Sequence, residues 1–520
     1  MISEGGFSRL ESRYILGVFI LLVVALFVNL GIYPLFLEEP RRGLIALEMI
    51  FRDNWWVPTQ TGDIYLRKPP LYNWTLILSY KLFGEYSEFA TRVVSVVSFI
   101  GMGVSTFLFA RNRLGFRVAA LSALGVLTSV DILFYFSTLG EIDLFYSWIT
   151  LLSFFGLYHY GEKGRYWQLF LIVYGLSALG ILTKGLSSVP FLGISLLVYF
   201  VYTRNFKKLF SLAHLAGIAL FISIVGGYFY MYSLYEDPSG WWQTLVGESA
   251  GRAGIAGLLK HLLNFPLENL KNILPATLLV PLFWSKGLLK RVKSDRLIAF
   301  LFLLTFANFL VYWVSADAKS RYVYALYPLL IMGFSYLYVH GETKEWHKKY
   351  WNILITTCLV IPTLGLPLFP FVDFLEVVDN RIWMALGLMS FLALLWWLFL
   401  KKRVSPYLIL VGLLIMAKLW FSMVVPVTRA ETTGAEEDRV LGKKIASESE
   451  GAVLYRYGDV RMSLTIVYYV EAGREEVLNQ SDTFEPGFFF CYTEDLPDRP
   501  YTMVEEFHYH QRPIFLIKVE

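Results

Sequence analysis

The sequence predicts an all-α membrane domain of about thirteen transmembrane helices, followed by a small α/β domain. Of the 520 residues, 56% are hydrophobic and only 17% are charged, and the mean hydropathy is +0.52. Soluble domains average roughly 25% charged residues, so this chain has too little polar surface for an ordinary cytosolic enzyme. Disordered and disulfide-rich classes are excluded on composition, and a net charge of +4 does not indicate nucleic-acid binding.

The charge density changes at Pro426. Residues 427–520 contain 10 Lys/Arg and 18 Asp/Glu, whereas the longer segment before them contains 36 and 24. We therefore predict a membrane domain over residues 1–426 and a soluble α/β domain over 427–520. Hydrophobic patterning in the second domain predicts a helix at 434–450 and strands at 451–457, 487–493 and 513–519.

The membrane spans follow from apolar runs of about 20 residues, the length that crosses a bilayer. The first run, 14–36, is too long for the core of a signal peptide, so it predicts a retained helix. The run at 71–83 is short and predicts an interfacial helix. The remaining predicted spans are 89–110, 116–136, 142–160, 167–183, 186–202, 209–232, 272–285, 297–315, 322–339, 351–371, 382–400 and 404–426.

The distribution of Lys and Arg predicts the orientation of these spans. With a cytoplasmic N-terminus, the cytoplasmic connections hold 21 basic residues and the short outer connections hold three. This asymmetry obeys the positive-inside rule. An odd number of spans then predicts that loops 37–88 and 233–271 and the acidic C-terminal domain lie outside the cytoplasm.

The loop after the first span carries a group of charges at the predicted membrane boundary. Glu38 and Glu39 are followed directly by Pro40, Arg41 and Arg42. A carboxylate in partly desolvated surroundings can serve as a base, and arginine suits phosphate recognition. An interfacial charge cluster that simply ends the span is the alternative interpretation.

Further along the chain, charged residues occur where a membrane protein rarely places them without a function. Lys68 precedes Pro69 and Pro70, which restrict it to extended conformations; a loop stiffener is the alternative. Asp143 lies just inside a predicted span, where an unpaired carboxylate would cost several kcal/mol.

The other predicted outer elements supply more cations. Glu248 and Arg252 are four residues apart in the second large loop, and a plain helical ion pair is the alternative interpretation of that spacing. Convergence of several cations suits a phosphate group in a lipid. The candidate phosphate-binding cations are Arg41, Lys68, Lys184, Arg252 and Arg321.

These segments together resemble the GT-C membrane glycosyltransferases, specifically the lipid A aminoarabinose transferases and related enzymes of the protein O-mannosyltransferase superfamily. LEEPRRGLIALEMI resembles the family's Asp-Glu-x-Arg motif, which places Glu38 at the catalytic Asp position, Glu39 at the Glu and Arg41 at the Arg. The Lys-Pro-Pro segment, the Leu-x-Lys-Gly segment and the Tyr-x-x-x-x-x-Pro run are also similar. Through these motifs the resemblance adds Tyr65, Lys68, Lys184, Tyr322, Asp143, Glu248 and Arg252.

The chain departs from the family pattern at positions that bear on metal binding. Arg67 replaces the Glu before Lys-Pro-Pro, a metal-ligand position in the transferase, and Gly247 replaces a His. Both changes argue against a zinc site there, and we expect Arg67 to extend the substrate-binding region. The sequence assigns no particular cofactor, and it leaves a divalent metal open although the usual ligand positions are altered at Arg67 and Gly247.

The resemblance implies transfer of a sugar from a polyprenyl-phosphate donor to an envelope acceptor such as lipid A. Glu38 and Asp143 would be the catalytic carboxylates, the five cations would hold the donor phosphate, and Glu39, Tyr65, Arg67, Glu248 and Tyr322 would contact substrate. Other implied activities are protein O-mannosyl transfer and lipid A galacturonosyl transfer. A lipid-linked sugar flippase is the non-enzymatic alternative, although the chain shows no internal repeat. We expect a monomer in the bacterial inner membrane, with its active site on the outer face.

Overall fold

The computed structural model describes residues 7–241, 244, 255–432 and 434–520, which are mainly helical. The helices up to residue 233 are α1 Arg9–Phe27, α2 Glu39–Phe51, α3 Leu71–Phe83, α4 Glu88–Leu127, α5 Val130–Phe134, α6 Ile142–Glu162, α7 Tyr166–Lys184, α8 Val189–Thr203 and α9 Leu212–Ser233. Those from residue 255 are α10 Ile255–Asn272, α11 Val280–Phe283, α12 Leu288–Ser294, α13 Arg296–Trp313, α14 Tyr327–Val339, α15 Glu345–Gly365, α16 Arg381–Leu400, α17 Pro406–Thr432, α18 Ala435–Glu448 and α19 Leu464–Arg474.

Nine helical segments within the described residues are long and apolar enough to cross a membrane. These segments are Arg9–Phe27, Glu88–Leu127, Tyr166–Thr203, Leu212–Ser233, Arg296–Trp313, Ser320–Val339, Glu345–Phe371, Arg381–Leu400 and Pro406–Ala430. The protein is therefore a multi-pass membrane protein, as its composition predicts.

The number of crossings depends on two very long segments. Glu88–Leu127 has 40 residues and Tyr166–Thr203 has 38, roughly twice the length that one crossing needs. Each contains a glycine with positive φ, Gly115 at 84° and Gly185 at 72°, near the position where the sequence predicts two separate spans. Glycine adopts this conformation without the steric cost of a side chain. The total of thirteen spans stays a prediction.

The predicted span at 272–285 differs from the structure. Instead of one long helix, the segment contains the 3₁₀ turn Ala276–Leu279 and the four-residue helix α11. Pro275 precedes the turn and Pro281 lies in α11. Since proline lacks a backbone N–H and clashes with the preceding helical turn, these residues explain why no long helix forms.

The chain divides into two compact units. The first unit comprises Met1–Leu30, Ser95–Gly227 and Leu245–Thr428, and the second comprises Gly31–Val94, Tyr228–Thr244 and Arg429–Glu520. In the first unit α6 packs along α7 and α8 packs on α13. In the second unit α2 packs on α3 and α19, and α18 packs on α19. The C-terminal segment thus forms one unit with the first loop.

The C-terminal segment contains a mixed sheet of five strands in its described part, beside α18 and α19. The strands are β3 Leu454–Tyr457, β4 Asn479–Ser481, β5 Gly487–Cys491, β6 Tyr501–Tyr509 and β7 Arg512–Val519, in the order β4-β3-β5-β7-β6. β3 pairs in parallel with β4 and β5, and the pairs β5–β7 and β6–β7 are antiparallel. A short antiparallel ladder, β1 Thr59–Gln60 with β2 Asp63–Ile64, lies in the first loop. The prediction of a small α/β segment is confirmed; its location outside the cytoplasm stays a prediction.

Candidate active site

Glu38 lies at the start of α2, where the chain turns into the helix. Leu37 adopts a positive φ of 57°, Glu38 is the N-cap residue and Pro40 occupies the first turn, where its missing N–H costs nothing. The Glu38 carboxylate accepts a hydrogen bond from Arg41, and Arg42 Nη2 lies 4.0 Å from its Oε2. The Glu38 side chain is 39% exposed, so the carboxylate is accessible as well as paired.

Glu39 is in a different environment, because its side chain is fully buried. Arg92 of α4 donates from Nε to Glu39 Oε1 over 2.8 Å and from Nη2 to Oε2 over 2.9 Å. Arg92 also donates to the carbonyls of Tyr33 and Pro34, and the N–H of Phe36 donates to Glu39 Oε2. This geometry fixes the turn before α2 and favours a positioning role for Glu39 over the predicted substrate contact.

Arg92 is a residue that the sequence prediction missed. It lies inside the apolar run FATRVVSVV, within the predicted span 89–110. A charged residue in such a run is a functional hypothesis by default, and that rule would have selected it.

The Lys-Pro-Pro segment follows Tyr65, which is buried beneath the guanidinium of Arg42 at 5.8 Å from the ring centre. We call Glu38, Glu39, Arg41, Arg42, Tyr65 and Arg92 the Glu38 cluster. Arg67 is exposed, and half-buried Lys68 donates from Nζ to the carbonyl of Arg67 over 3.1 Å. Pro69 and Pro70 are buried and Pro70 is the N-cap of α3. The double proline therefore ends the loop and starts the helix that the sequence predicts at 71–83.

In the other unit, the structure brings four of the predicted residues together. Asp143 of α6 is buried and accepts a hydrogen bond of 2.5 Å from Lys184 Nζ at the end of α7. Arg321 Nε lies 3.7 Å from Asp143 Oδ2. The Lys184 ammonium also lies 4.4 Å from the ring centre of Tyr322. The buried Asp143 carboxylate thus has cationic partners from two other segments.

Glu141 completes this group, and it was not among the predicted site residues. Its Oε2 accepts a hydrogen bond of 3.1 Å from Arg321 Nη1, and Ser95 Oγ donates to its backbone carbonyl. We call Glu141, Asp143, Lys184, Arg321 and Tyr322 the Asp143 cluster. Its charges, within the described part of the chain, are two carboxylates and two cations.

Part of the predicted site lies outside the described residues: Gly247, Glu248 and Arg252. Within the described ranges, no group of three or more His, Cys, Asp or Glu side chains is arranged to hold a metal ion. Arg67, at the position where the related transferases carry a carboxylate, is exposed and cationic.

Comparison with known proteins gives a match to one sequence family, several relatives and solved structures. The sequence model of the PMT_2 family, dolichyl-phosphate-mannose-protein mannosyltransferase, matches residues 67–229, which include Lys68, Asp143 and Lys184. An uncharacterized protein of Aquifex aeolicus is 24% identical over 356 residues, which is 68% of this chain and 69% of that one.

The chain is also similar to an enzyme of known activity and to a solved structure. The undecaprenyl phosphate-alpha-4-amino-4-deoxy-L-arabinose arabinosyl transferase of Shewanella sediminis is 28% identical over 195 residues, so the match spans about a third of its length (35%) and 35% of this chain. The crystal structure of ArnT from Cupriavidus metallidurans bound to undecaprenyl phosphate is similar with a TM-score of 0.71 and 17% identity, covering 98% of each chain.

The chain has the fold of the solved ArnT structure, and its residues 67–229 match the PMT_2 family model. These matches support the resemblance to the GT-C glycosyltransferases of the ArnT and protein O-mannosyltransferase superfamily that the motifs indicate.

Proposed function

We propose that this protein transfers a sugar from a polyprenyl-phosphate-linked donor to a lipid A-type or other envelope acceptor at the outer face of the bacterial inner membrane. The proposal depends mainly on the Glu38 cluster, in which an accessible carboxylate lies beside Arg41 and Arg42 at the start of α2. A transporter does not need a half-exposed base next to a phosphate-binding arginine, whereas a glycosyltransferase does.

The donor phosphate is the group that these cations suit. In the Glu38 cluster three guanidiniums face two carboxylates, and Lys68 adds an ammonium on the same loop. As the sugar's anomeric carbon–oxygen bond breaks, the polyprenyl phosphate leaves with increasing negative charge. Arg41 and Lys68 stabilise that charge, and such electrostatic stabilisation is usually the largest contribution to catalysis. Arg252 joins them in this proposal.

Glu38 acts on the acceptor. If the acceptor is a hydroxyl, its oxygen forms the new bond to the anomeric carbon and its proton passes to the Glu38 carboxylate, which accounts for both groups. An acceptor phosphate is already anionic and needs only to be oriented. Glu38 is one methylene longer than the aspartate of the resembling enzymes, so it reaches farther from the helix.

In this proposal the Asp143 cluster contributes to catalysis and sugar binding and not mainly to donor-phosphate binding. Within the described residues, Lys184 and Arg321 face Asp143 and Glu141 in equal number, so this cluster has less net positive charge to offer an anion than the Glu38 cluster. Asp143 remains the second catalytic carboxylate, and Tyr322, next to Arg321 and against Lys184, is placed to contact the sugar.

The membrane orientation in this proposal is supported by the positive-inside asymmetry of the sequence. It places loops 37–88 and 233–271 and the C-terminal segment outside the cytoplasm. A reporter that is active only in the cytoplasm, fused after Glu520, should be silent; an active fusion would contradict the orientation.

The test of the activity is direct transfer. Purified protein is incubated with labelled polyprenyl-phosphate sugars and with lipid A, its dephosphorylated form and a peptide, and the products are analysed by mass spectrometry. We expect one acceptor to gain a sugar while free polyprenyl phosphate appears. If no acceptor is modified but the labelled donor crosses vesicle membranes that contain the protein, the proposal is wrong and a flippase is favoured.

A further inference from the structure

The helix α19 of the C-terminal segment contacts both the turn before α2 and the helix α2 itself. Tyr469 Oη accepts a hydrogen bond of 3.2 Å from the N–H of Leu35, and Thr465 Oγ1 donates to the Leu35 carbonyl over 3.4 Å. A Cβ atom at Gly43 would lie 2.6 Å from the Tyr468 ring, so the helices approach as closely as glycine permits. Since Leu35 is three residues before Glu38, α19 helps to set the position of the proposed base.

The other end of this interface contains a pair of buried carboxyl groups. Glu48 of α2 and Glu471 of α19 are both fully buried. Glu48 accepts hydrogen bonds from the N–H groups of Thr61 and Gly62. Glu471 Oε1 accepts from the N–H of Leu478 over 2.9 Å, and its Oε2 has no hydrogen-bond partner among the described residues.

The cations that face this pair are committed to other acceptors. Arg52 of α2 donates to the Gly62 carbonyl and to Asn479 Oδ1. Arg456 of β3 donates to the Thr61 carbonyl over 2.7 Å and lies 3.2 Å from Asp63 Oδ2. Neither arginine makes a hydrogen bond to Glu48 or Glu471 in the described part of the protein, so both carboxyls cannot be ionised without a large cost.

The two carboxyls are not equivalent. Burial raises the pKa of Glu48 to about 7, against the opposing effect of its backbone hydrogen bonds and of Arg52. Burial and then the charge of Glu48 raise the pKa of Glu471 well above its usual range. Glu48, with two N–H donors, is the better site for negative charge, and Glu471 is the site for the proton.

We propose that Glu471 is a neutral carboxylic acid that keeps α19 packed on α2, and that Glu471 and Glu48 are therefore positioning residues for the Glu38 end of the active site. The catalytic part of this proposal rests on the proposed function. The pair also makes the interface sensitive to alkaline pH, because loss of the Glu471 proton places a second negative charge beside Glu48.

The direction of the pH effect follows from the raised pKa values. A carboxyl that binds its proton more tightly when folded than when unfolded stabilises the fold fully below its unfolded pKa. This stabilisation is lost as the pH rises through the folded value. For Glu48 the loss is centred at about pH 7, and for Glu471 it extends to higher pH.

The test uses Glu471→Gln, which keeps an acceptor for the N–H of Leu478 and places a neutral amide where Oε2 lies. The full-length protein in detergent is melted, and its sugar transfer is measured, between about pH 6 and pH 9. We expect both the wild-type melting temperature and the wild-type transfer rate to fall as the pH rises. Glu471→Gln should flatten both profiles above about pH 7, which leaves the Glu48 contribution centred there. Glu475→Gln, an exposed control at the end of the same helix, should follow the wild type.

The outcomes separate this proposal from the proposed function. If the melting temperatures of Glu471→Gln and wild type depend equally on pH, Glu471 is not a buried neutral acid. If the substitution flattens the pH dependence of the melting temperature but leaves that of the transfer rate unchanged, the positioning role is wrong. Flattened melting without transfer by either protein leaves the buried acid intact and counts against the glycosyltransferase. If Glu471→Gln does not fold, the test is amide hydrogen exchange of α19 in the wild-type protein, corrected for intrinsic exchange rates. The proposal predicts that the protection of these amides falls as the pH rises. Constant protection overturns the proposal.

Discussion

The Glu38 and Asp143 clusters contain the same kinds of side chain but differ in charge balance and exposure. In the Glu38 cluster, three guanidiniums face two carboxylates and Glu38 is 39% exposed. In the Asp143 cluster, two cations face two carboxylates, and the Asp143 side chain is only 4% exposed. The first cluster therefore has positive charge left for an anion and the second has matched its charges internally.

This difference predicts different responses to substitution in the two clusters. A buried matched pair contributes little net stability compared with apolar residues, but removing one partner is costly because the other charge stays buried. Glu38 and Lys68 are only partly buried, so substitutions there are tolerated structurally and act through ligand binding. We therefore expect stability effects at Asp143 and kinetic or binding effects at Glu38 and Lys68.

The largest expected effect is on stability at the Asp143–Lys184 pair. Asp143→Asn leaves the Lys184 ammonium buried without its carboxylate and should lower the free energy of unfolding by about 3–5 kcal/mol. Lys184→Met should cost a similar amount, and the double variant should recover most of the loss. SDS-induced unfolding of the three variants gives this double-mutant cycle. Additive losses in the double variant would show that the pair is not coupled.

The next effect is kinetic and concerns Glu38. Glu38→Gln keeps the side-chain volume and removes the charge, so we expect the single-turnover rate to fall by roughly 100-fold or more while donor binding survives. Glu38→Asp should be partly active, because the resembling enzymes carry Asp there. Glu485→Gln, an exposed glutamate of the C-terminal segment, is the control. Donor-loaded Glu38→Gln turning over within a few-fold of wild type would transfer the catalytic role to Asp143.

A smaller effect is expected at Lys68. This side chain is half-buried and follows an exposed residue, so Lys68→Ala creates no core cavity. Loss of one charge-assisted phosphate contact should weaken donor use by about tenfold, with an unchanged melting temperature. Lys81→Ala, which removes an ammonium above the Trp55 ring instead, is the matched control. Equal loss in both variants would indicate a general effect of surface charge.

Much of this molecule could be predicted from its sequence because hydrophobic runs and charge asymmetry are strong signals. The membrane class and the helix at 71–83 follow from them directly. The pairing of Asp143 with Lys184 and Arg321 could be predicted only as a need for some partner, since the partners lie on distant segments.

The C-terminal segment shows where local patterns fail. The helix α19 reads LTIVYYVEAGR, whose β-branched and aromatic residues favour a strand, and the sequence prediction contained no helix there. Packing on α2 and α18 buries those side chains and overrides the local preference. The sequence analysis also missed the strand β6, YTMVEEFHY. Its two adjacent glutamates break the apolar–polar alternation that indicates a strand.

The most direct test of the central claim is binding of undecaprenyl phosphate to two double variants. Arg41→Gln with Lys68→Gln removes two cations of the first loop, and Asp143→Asn with Lys184→Met removes a matched pair. We predict that the first double variant weakens the Kd by about 100-fold, since two charge-assisted contacts are lost, and that the second stays within about threefold of wild type. A first double variant that binds like wild type, together with a large loss in the second, would contradict the assignment of the donor phosphate to the first loop.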